Sequence, residues 1–142
     1  MIKWIALLFS GMILSATTHS DEILAQLQKQ STKENKLIMV HFTGSDWCAS
    51  CKVFQQEVMS TEQVKAEVQS NFIYYKSDYT LRKKMTAEEQ KRHDFLMEKL
   101  NYEGTYPLIV ICDKDFNPLK SIQRTKLPQE FLEFVKPYYP AK

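Results

Sequence analysis

Cys48 and Cys51 sit in the stretch "FTGSDWCASCKVF" (42–54), directly behind Trp47 and directly ahead of Lys52. Two thiols at that spacing could do one of three things. They could exchange electrons as a dithiol–disulfide couple, supply half of a metal site, or staple a turn. A staple draws its stability from the loop it closes, and a bridge this short closes almost none. A structural zinc site needs four ligands. Beyond the pair, the chain after residue 20 offers Cys112, His41 and His93, which form no second spaced pair, so no metal is expected. Thiol–disulfide exchange through a mixed disulfide gives the spacing a chemical reason.

Exchange needs one activated thiol and one partner behind it, so the flanking elements matter. "KLIMVHF" (36–42) is an apolar run without Gly or Pro and predicts a buried strand. The residues from Cys48 to Met59 predict a helix, with Cys51, Phe54 and Val58 on one face. A strand that turns into a helix places Cys48 at the helix N-terminus. Free amides and the helix dipole favour a thiolate there. Cys48 is therefore the expected nucleophile and Cys51, one turn further in, the expected resolving thiol.

The rest of the chain supplies a scaffold. Residues 21–31 predict a helix with Ile23, Leu24 and Leu27 on one side, and Ser60-Thr61-Glu62-Gln63 has the form of a capping box that opens another. "FIYYKSD" (72–78) predicts a strand whose Tyr74 and Tyr75 read as core aromatics. Residues 80–104 are charged and helix-prone, with a second capping-box pattern at Thr86-Ala87-Glu88-Glu89 and an apolar stripe at Leu96 and Leu100. "RKK" (82–84) reads as a solvated face, and His93 as the border of the stripe with no role of its own. "YPLIVIC" (106–112) predicts a strand with Cys112 as a packed core thiol, and "DKDFNP" (113–118) a turn into a strand near 119–123. "LPQEFLEFVKPYY" (127–139) predicts a helix with Pro128 in its first turn, Phe131, Val135 and Tyr138 facing inward, and Phe134 another core aromatic. The order is an α/β pattern: a strand–helix–strand unit, a hairpin and a closing helix around a mixed four- to five-stranded sheet covered on both faces.

At 142 residues the chain holds one domain with one core. A formal charge of +2 and the lack of basic stretches interleaved with aromatics give no reason to expect nucleic acid. The first twenty residues differ from the rest. Lys3 precedes the apolar "WIALLFSGMIL" (4–14), about half the length of a bilayer span, then small polar "SATTHS". This is the order of a secretory signal, which predicts residues 1–20 as a signal peptide and 21–142 as one exported domain, periplasmic or secreted.

Trp47-Cys48-Ala49-Ser50-Cys51-Lys52 at a strand-to-helix turn, followed by a proline at the start of a later strand in "GTYPLIVI" (104–111), resembles the thioredoxin superfamily. The likeness runs from about residue 22 to 138. It is strongest to exported oxidoreductases of the DsbD C-terminal-domain type and the DsbH type. The resemblance implies a thioredoxin-like fold, a redox-active disulfide between Cys48 and Cys51, and a cis-proline at Pro107 beside it. It also implies substrate contacts at Trp47 and Tyr106, protein disulfides as substrates, no cofactor, and a membrane-bound, DsbD-like thiol reductant upstream. The chain departs from the family pattern in two places. The superfamily carries a buried acid on the strand before the motif, where this sequence, allowing one inserted residue in "TGSD", has His41. His41 reads either as the proton acceptor, with an ordinary pKa near neutrality, or as a hydrogen-bonded strand histidine. Residues 80–104 also exceed the corresponding linker of a minimal thioredoxin.

Direction of electron flow rests on Ala49 and Ser50. Strong oxidants stabilise the thiolate from between the cysteines, and these two residues offer no cation. A potential on the reducing side is expected, below the roughly −180 mV of protein disulfide isomerase. Two other functions fit the same motif: a disulfide isomerase, which normally needs a dimer or extra domains, and a redox-inert peptide-binding module. No dimerisation segment is visible, so a monomer is expected.

Overall fold

The computed structural model describes residues 21–141. The expected signal peptide, residues 1–20, lies outside them. Asp21 caps the first helix, α1 (Glu22–Glu34), by accepting the Ile23 and Leu24 amides on its carboxylate. Then come β1 (Leu37–Thr43), α2 (Ala49–Phe54), α3 (Glu62–Asn71), β2 (Phe72–Asp78), α4 (Ala87–Leu100), β3 (Leu108–Cys112), β4 (Pro118–Ile122) and α5 (Pro128–Val135). The sheet order is β2-β1-β3-β4, with β1 parallel to β2 and the other pairs antiparallel. Of the four to five strands expected, the described residues form four.

Every residue of β1 from Ile38 to Thr43 is buried, as a central strand covered on both sides requires. Met39, Ile109, Ile111 and Ile122 face α2, α3 and α5 through Phe54, Val58, Val64, Phe131 and Val135. Ile38, Val40, Phe42 and Val110 face the opposite way, onto Leu27 of α1 and Leu96 and Leu100 of α4. The side chain at each successive position of β1 thus reports to a different layer. The register pairs Thr43 with Asp78 and Phe42 with Leu108. The chain therefore leaves β1 and β2 and enters β3 at one edge, where the segments 44–48, 79–86 and 101–107 meet.

Three local expectations are corrected. The capping box at Ser60-Thr61-Glu62-Gln63 does not form. A π-helical turn, Gln55–Met59, follows α2, and the Ser60 amide closes it on the Gln55 carbonyl at 2.8 Å. Ser60 is thereby spent, and α3 starts from Thr61 with no side-chain cap. Tyr74 is not a core aromatic: 37% exposed, it turns only its hydroxyl inward. Phe134 is equally surface-facing, with the Lys120 ammonium 4.9 Å above its ring. The box at Thr86 and Glu89 does form, each side chain accepting from the other's backbone amide.

Candidate active site

The turn between β1 and α2 is built on Gly44. Its carbonyl accepts the amides of Trp47 and Cys48, and a Cβ at this position would overlap the Trp47 indole. Only glycine fits. Cys48 is the N-cap of α2, and a disulfide joins it to Cys51. The Cys51 amide donates to Cys48 Sγ at 3.2 Å, and the Ser50 hydroxyl lies 3.5 Å from the same sulfur. A negative charge on Cys48 would meet those donors and the start of the helix. Cys48 is 6% exposed and Cys51 1%, so the first sulfur is the more accessible and the second is covered by its own helix. A cavity of about 180 Å³ reaches Cys51 from the side, between Thr43, Lys52, Gln55 and Lys76.

Asp46 anchors the turn from its other end. Its carboxylate accepts the amides of Leu81, Arg82 and Lys83 at 3.0, 2.6 and 3.1 Å, and these donors hold its carboxyl below the usual range. The "RKK" side chains are exposed, as expected of a solvated face, while the backbone of 81–83 is fastened to the cysteine turn. Trp47 donates its indole N–H to the Tyr79 carbonyl at 2.7 Å and is 39% exposed. Its ring meets Tyr106 edge-on, centroids 5.3 Å apart. The Tyr106–Pro107 peptide bond is cis and leads directly into β3. That contact brings Trp47, Tyr106 and the Pro107 segment together at the edge where the cysteines lie. Burial raises the Tyr106 hydroxyl to about 12, so it stays protonated.

His41 is fully buried on the face of β1 that α2 covers, with its ring 5.7 Å from Phe54, one turn beyond Cys51. Nδ1 lies 2.8 Å from the Tyr74 hydroxyl. Nε2 is, among the described residues, the buried side-chain nitrogen or oxygen left without a hydrogen-bond partner. Burial lowers its pKa to about 4, with the Lys76 charge adding to the effect and Asp78 opposing it. His41 is thus a buried strand histidine hydrogen-bonded at Nδ1, one of the two readings made from the sequence, with no partner at Nε2 among the described residues. Cys112 is core. It is fully buried, its sulfur contacts the Ile38 carbonyl, and burial pushes its thiol up to about 12.

The sequence reading missed His93. It is 4% exposed, with Nδ1 2.8 Å from the Ser77 hydroxyl and Nε2 3.0 Å from the Tyr106 hydroxyl. Its position beside Leu96 marked it as near the core. Nothing local in the sequence reports either partner.

A disulfide at a strand-to-helix turn, with a tryptophan ahead of it and a cis X-Pro bond leading into a neighbouring strand, defines an α/β scaffold organised around one Cys-x-x-Cys pair. The chain belongs to the thioredoxin-like family, whose family model matches residues 16–114. It is 23% identical over 94 residues to the disulfide bond reductase DsbH of Chlamydia pneumoniae, an alignment covering 66% of this chain and 56% of that protein. The chain thus matches little more than half of that relative's length. Among solved structures, a DsbH oxidoreductase superposes with a TM-score of 0.73 at 22% identity, over 80% of this chain and 79% of the other. The reduced C-terminal domain of Neisseria meningitidis DsbD gives 0.59 at 19% identity, over 84% and 96%. At these identities the structural likeness is one of fold.

Proposed function

We propose that the chain is an exported thiol–disulfide oxidoreductase that reduces protein disulfides, with Cys48 as nucleophile and Cys51 as resolving thiol. The observation that carries this reading is the Cys48–Cys51 disulfide at the N-cap of α2, with the Cys51 amide donating to Cys48 Sγ. In the reduced protein, the Cys48 thiolate attacks one sulfur of a substrate disulfide and expels the other as a thiolate. The Cys51 thiolate then attacks Cys48 Sγ in the mixed disulfide. The second substrate sulfur leaves, and the pair ends oxidised, two electrons having passed to the substrate. A thiol reductant, membrane-bound and DsbD-like, restores the dithiol.

In this reading Trp47, Tyr106 and Pro107 form the wall on which substrate backbone lies. His41 receives the Cys51 proton. This role requires the tautomer in which Nδ1–H donates to the Tyr74 hydroxyl, which leaves Nε2 as an acceptor on the side of the sheet that carries Cys51. A pKa of about 4 makes it a transient acceptor, neutral at pH 7. The N-terminal signal pattern supports export to the periplasm. Ala49 and Ser50, which place no cation between the sulfurs, support the reducing direction.

The test is insulin reduction with the equilibrium potential measured against glutathione. Cys48→Ala should abolish turnover, and Cys51→Ala should accumulate a mixed disulfide. A potential above about −180 mV would remove the reductase reading in favour of an isomerase or oxidant. Turnover untouched by both substitutions would leave only a redox-inert binding module.

A further inference from the structure

Four residues from four separate segments close a ring that includes the proposed substrate wall. Trp47 of the cysteine turn donates to the carbonyl of Tyr79, just past β2, and meets the Tyr106 ring. Tyr106 reaches inward with its hydroxyl to His93 of α4. The His93 ring in turn stacks on Tyr79, centroids 4.9 Å apart and planes 21° from parallel. His93 is buried, whereas Trp47 is 39% exposed and Tyr106 half-buried. The ring therefore has one inner member, hydrogen-bonded from behind by Ser77, and outer members that reach solvent.

We propose that His93 is a positioning residue for substrate capture: through Tyr106 it holds the Pro107 segment and the Trp47 indole in the arrangement on which a protein disulfide docks. This rests on the disulfide-exchange reading above. No contact joins His93 to either cysteine; its hydrogen bond reaches Tyr106, and its ring also stacks on Tyr79, a packing that a phenylalanine at this position can keep. Its two partners are hydroxyls, each able to donate or accept, so a neutral imidazole satisfies both bonds in either tautomer. The other partner available to the Tyr106 hydroxyl is Met97 Sδ at 3.4 Å, a weak acceptor. Without His93 the half-buried Tyr106 is free to change rotamer, and each encounter with substrate must then order it again. That cost falls on binding and not on the sulfur chemistry.

The experiment measures KM and kcat for insulin reduction by the full chain, with dithiothreitol as electron source. The variants are His93→Phe, Tyr106→Phe, their double, and His93→Gln, whose amide reaches the Nε2 position. Support consists of a KM raised about fivefold in each Phe variant with kcat within about twofold. The double variant should be no worse than either single, and His93→Gln should recover most of the loss. Unchanged KM, a fall in kcat alone, or additive effects would each overturn the proposal. If His93→Phe does not fold, Tyr106→Phe decides, since it removes one oxygen and leaves the ring packing; unchanged KM there is equally fatal. No turnover by the unsubstituted chain would overturn the disulfide-exchange reading and this proposal with it. Turnover with an indifferent His93 would overturn this proposal alone.

Discussion

His41 and His93 are the same residue type, both buried and both held neutral by burial, on opposite faces of one sheet. Their surroundings differ in one respect. His93 has hydroxyl partners at both nitrogens, while His41 has one at Nδ1 and none at Nε2. A buried polar atom without a protein partner costs free energy unless water reaches it. The face without the cysteine helix uses its histidine to tie segments together. On the face that carries the cysteine helix, His41 Nε2 has no partner among the described residues. Burial alone therefore does not tell the two histidines apart; the count of bonded nitrogens does.

The comparison can be broken most decisively by pH. The folded-state pKa of His41 is about 4, below its ordinary 6.5. Between those values the unfolded chain binds a proton that the folded chain refuses, so stability falls as pH drops from about 6.5 to 4. The loss through this group is about 3 kcal/mol. It should be missing in His41→Phe, with urea midpoints at pH 7 and pH 4 as the measurement. Equal losses in the two proteins would show that His41 is not desolvated as described. His93, whose pKa burial also lowers, adds a loss of the same sign in both.

At pH 7 the order of the two histidines should reverse. His93→Phe strips partners from Ser77 and Tyr106 and should cost about 2 kcal/mol by denaturant unfolding. His41→Phe removes one bond but also the unpartnered nitrogen, and should lie within about 1 kcal/mol of the parent. A larger cost at His41 would mean that Nε2 is bonded after all.

The smallest effect sharpens the picture on the His41 side. Tyr74→Phe leaves the imidazole with no partner at either nitrogen and should cost about 1 kcal/mol. Adding it to His41→Phe should cost almost nothing more, because the bond is already gone. An additive double variant would uncouple the two residues.

How much of this was readable beforehand depended on distance along the chain. The cysteine pair, Trp47 and Pro107 stand out because their signals are local: a spacing of one helical turn, a neighbouring residue, and an X-Pro bond. The strand at 72–78 and the box at Thr86 were legible for the same reason. Ser60-Thr61-Glu62-Gln63 misled because the preceding π-turn competed for Ser60 and won. The role of Asp46 was not legible because its three amide donors, at Leu81, Arg82 and Lys83, lie in a segment that only folding brings to it. His93 drew no attention because Ser77 and Tyr106 sit on other elements.

The sequence by itself determined the periodicities, the strand–turn–helix that presents Cys48, and the thioredoxin-like order of elements. These follow from side-chain alternation and i, i+3 spacing, which act over a few residues. Only the tertiary structure decided which nitrogen of which histidine is satisfied, that Asp46 fastens the 81–83 amides to the cysteine turn, and that Tyr106 reaches both Trp47 and His93. Those are pairings through space between segments far apart in the chain. Their energies depend on burial and on which donors and acceptors remain unpaired once the layers have closed.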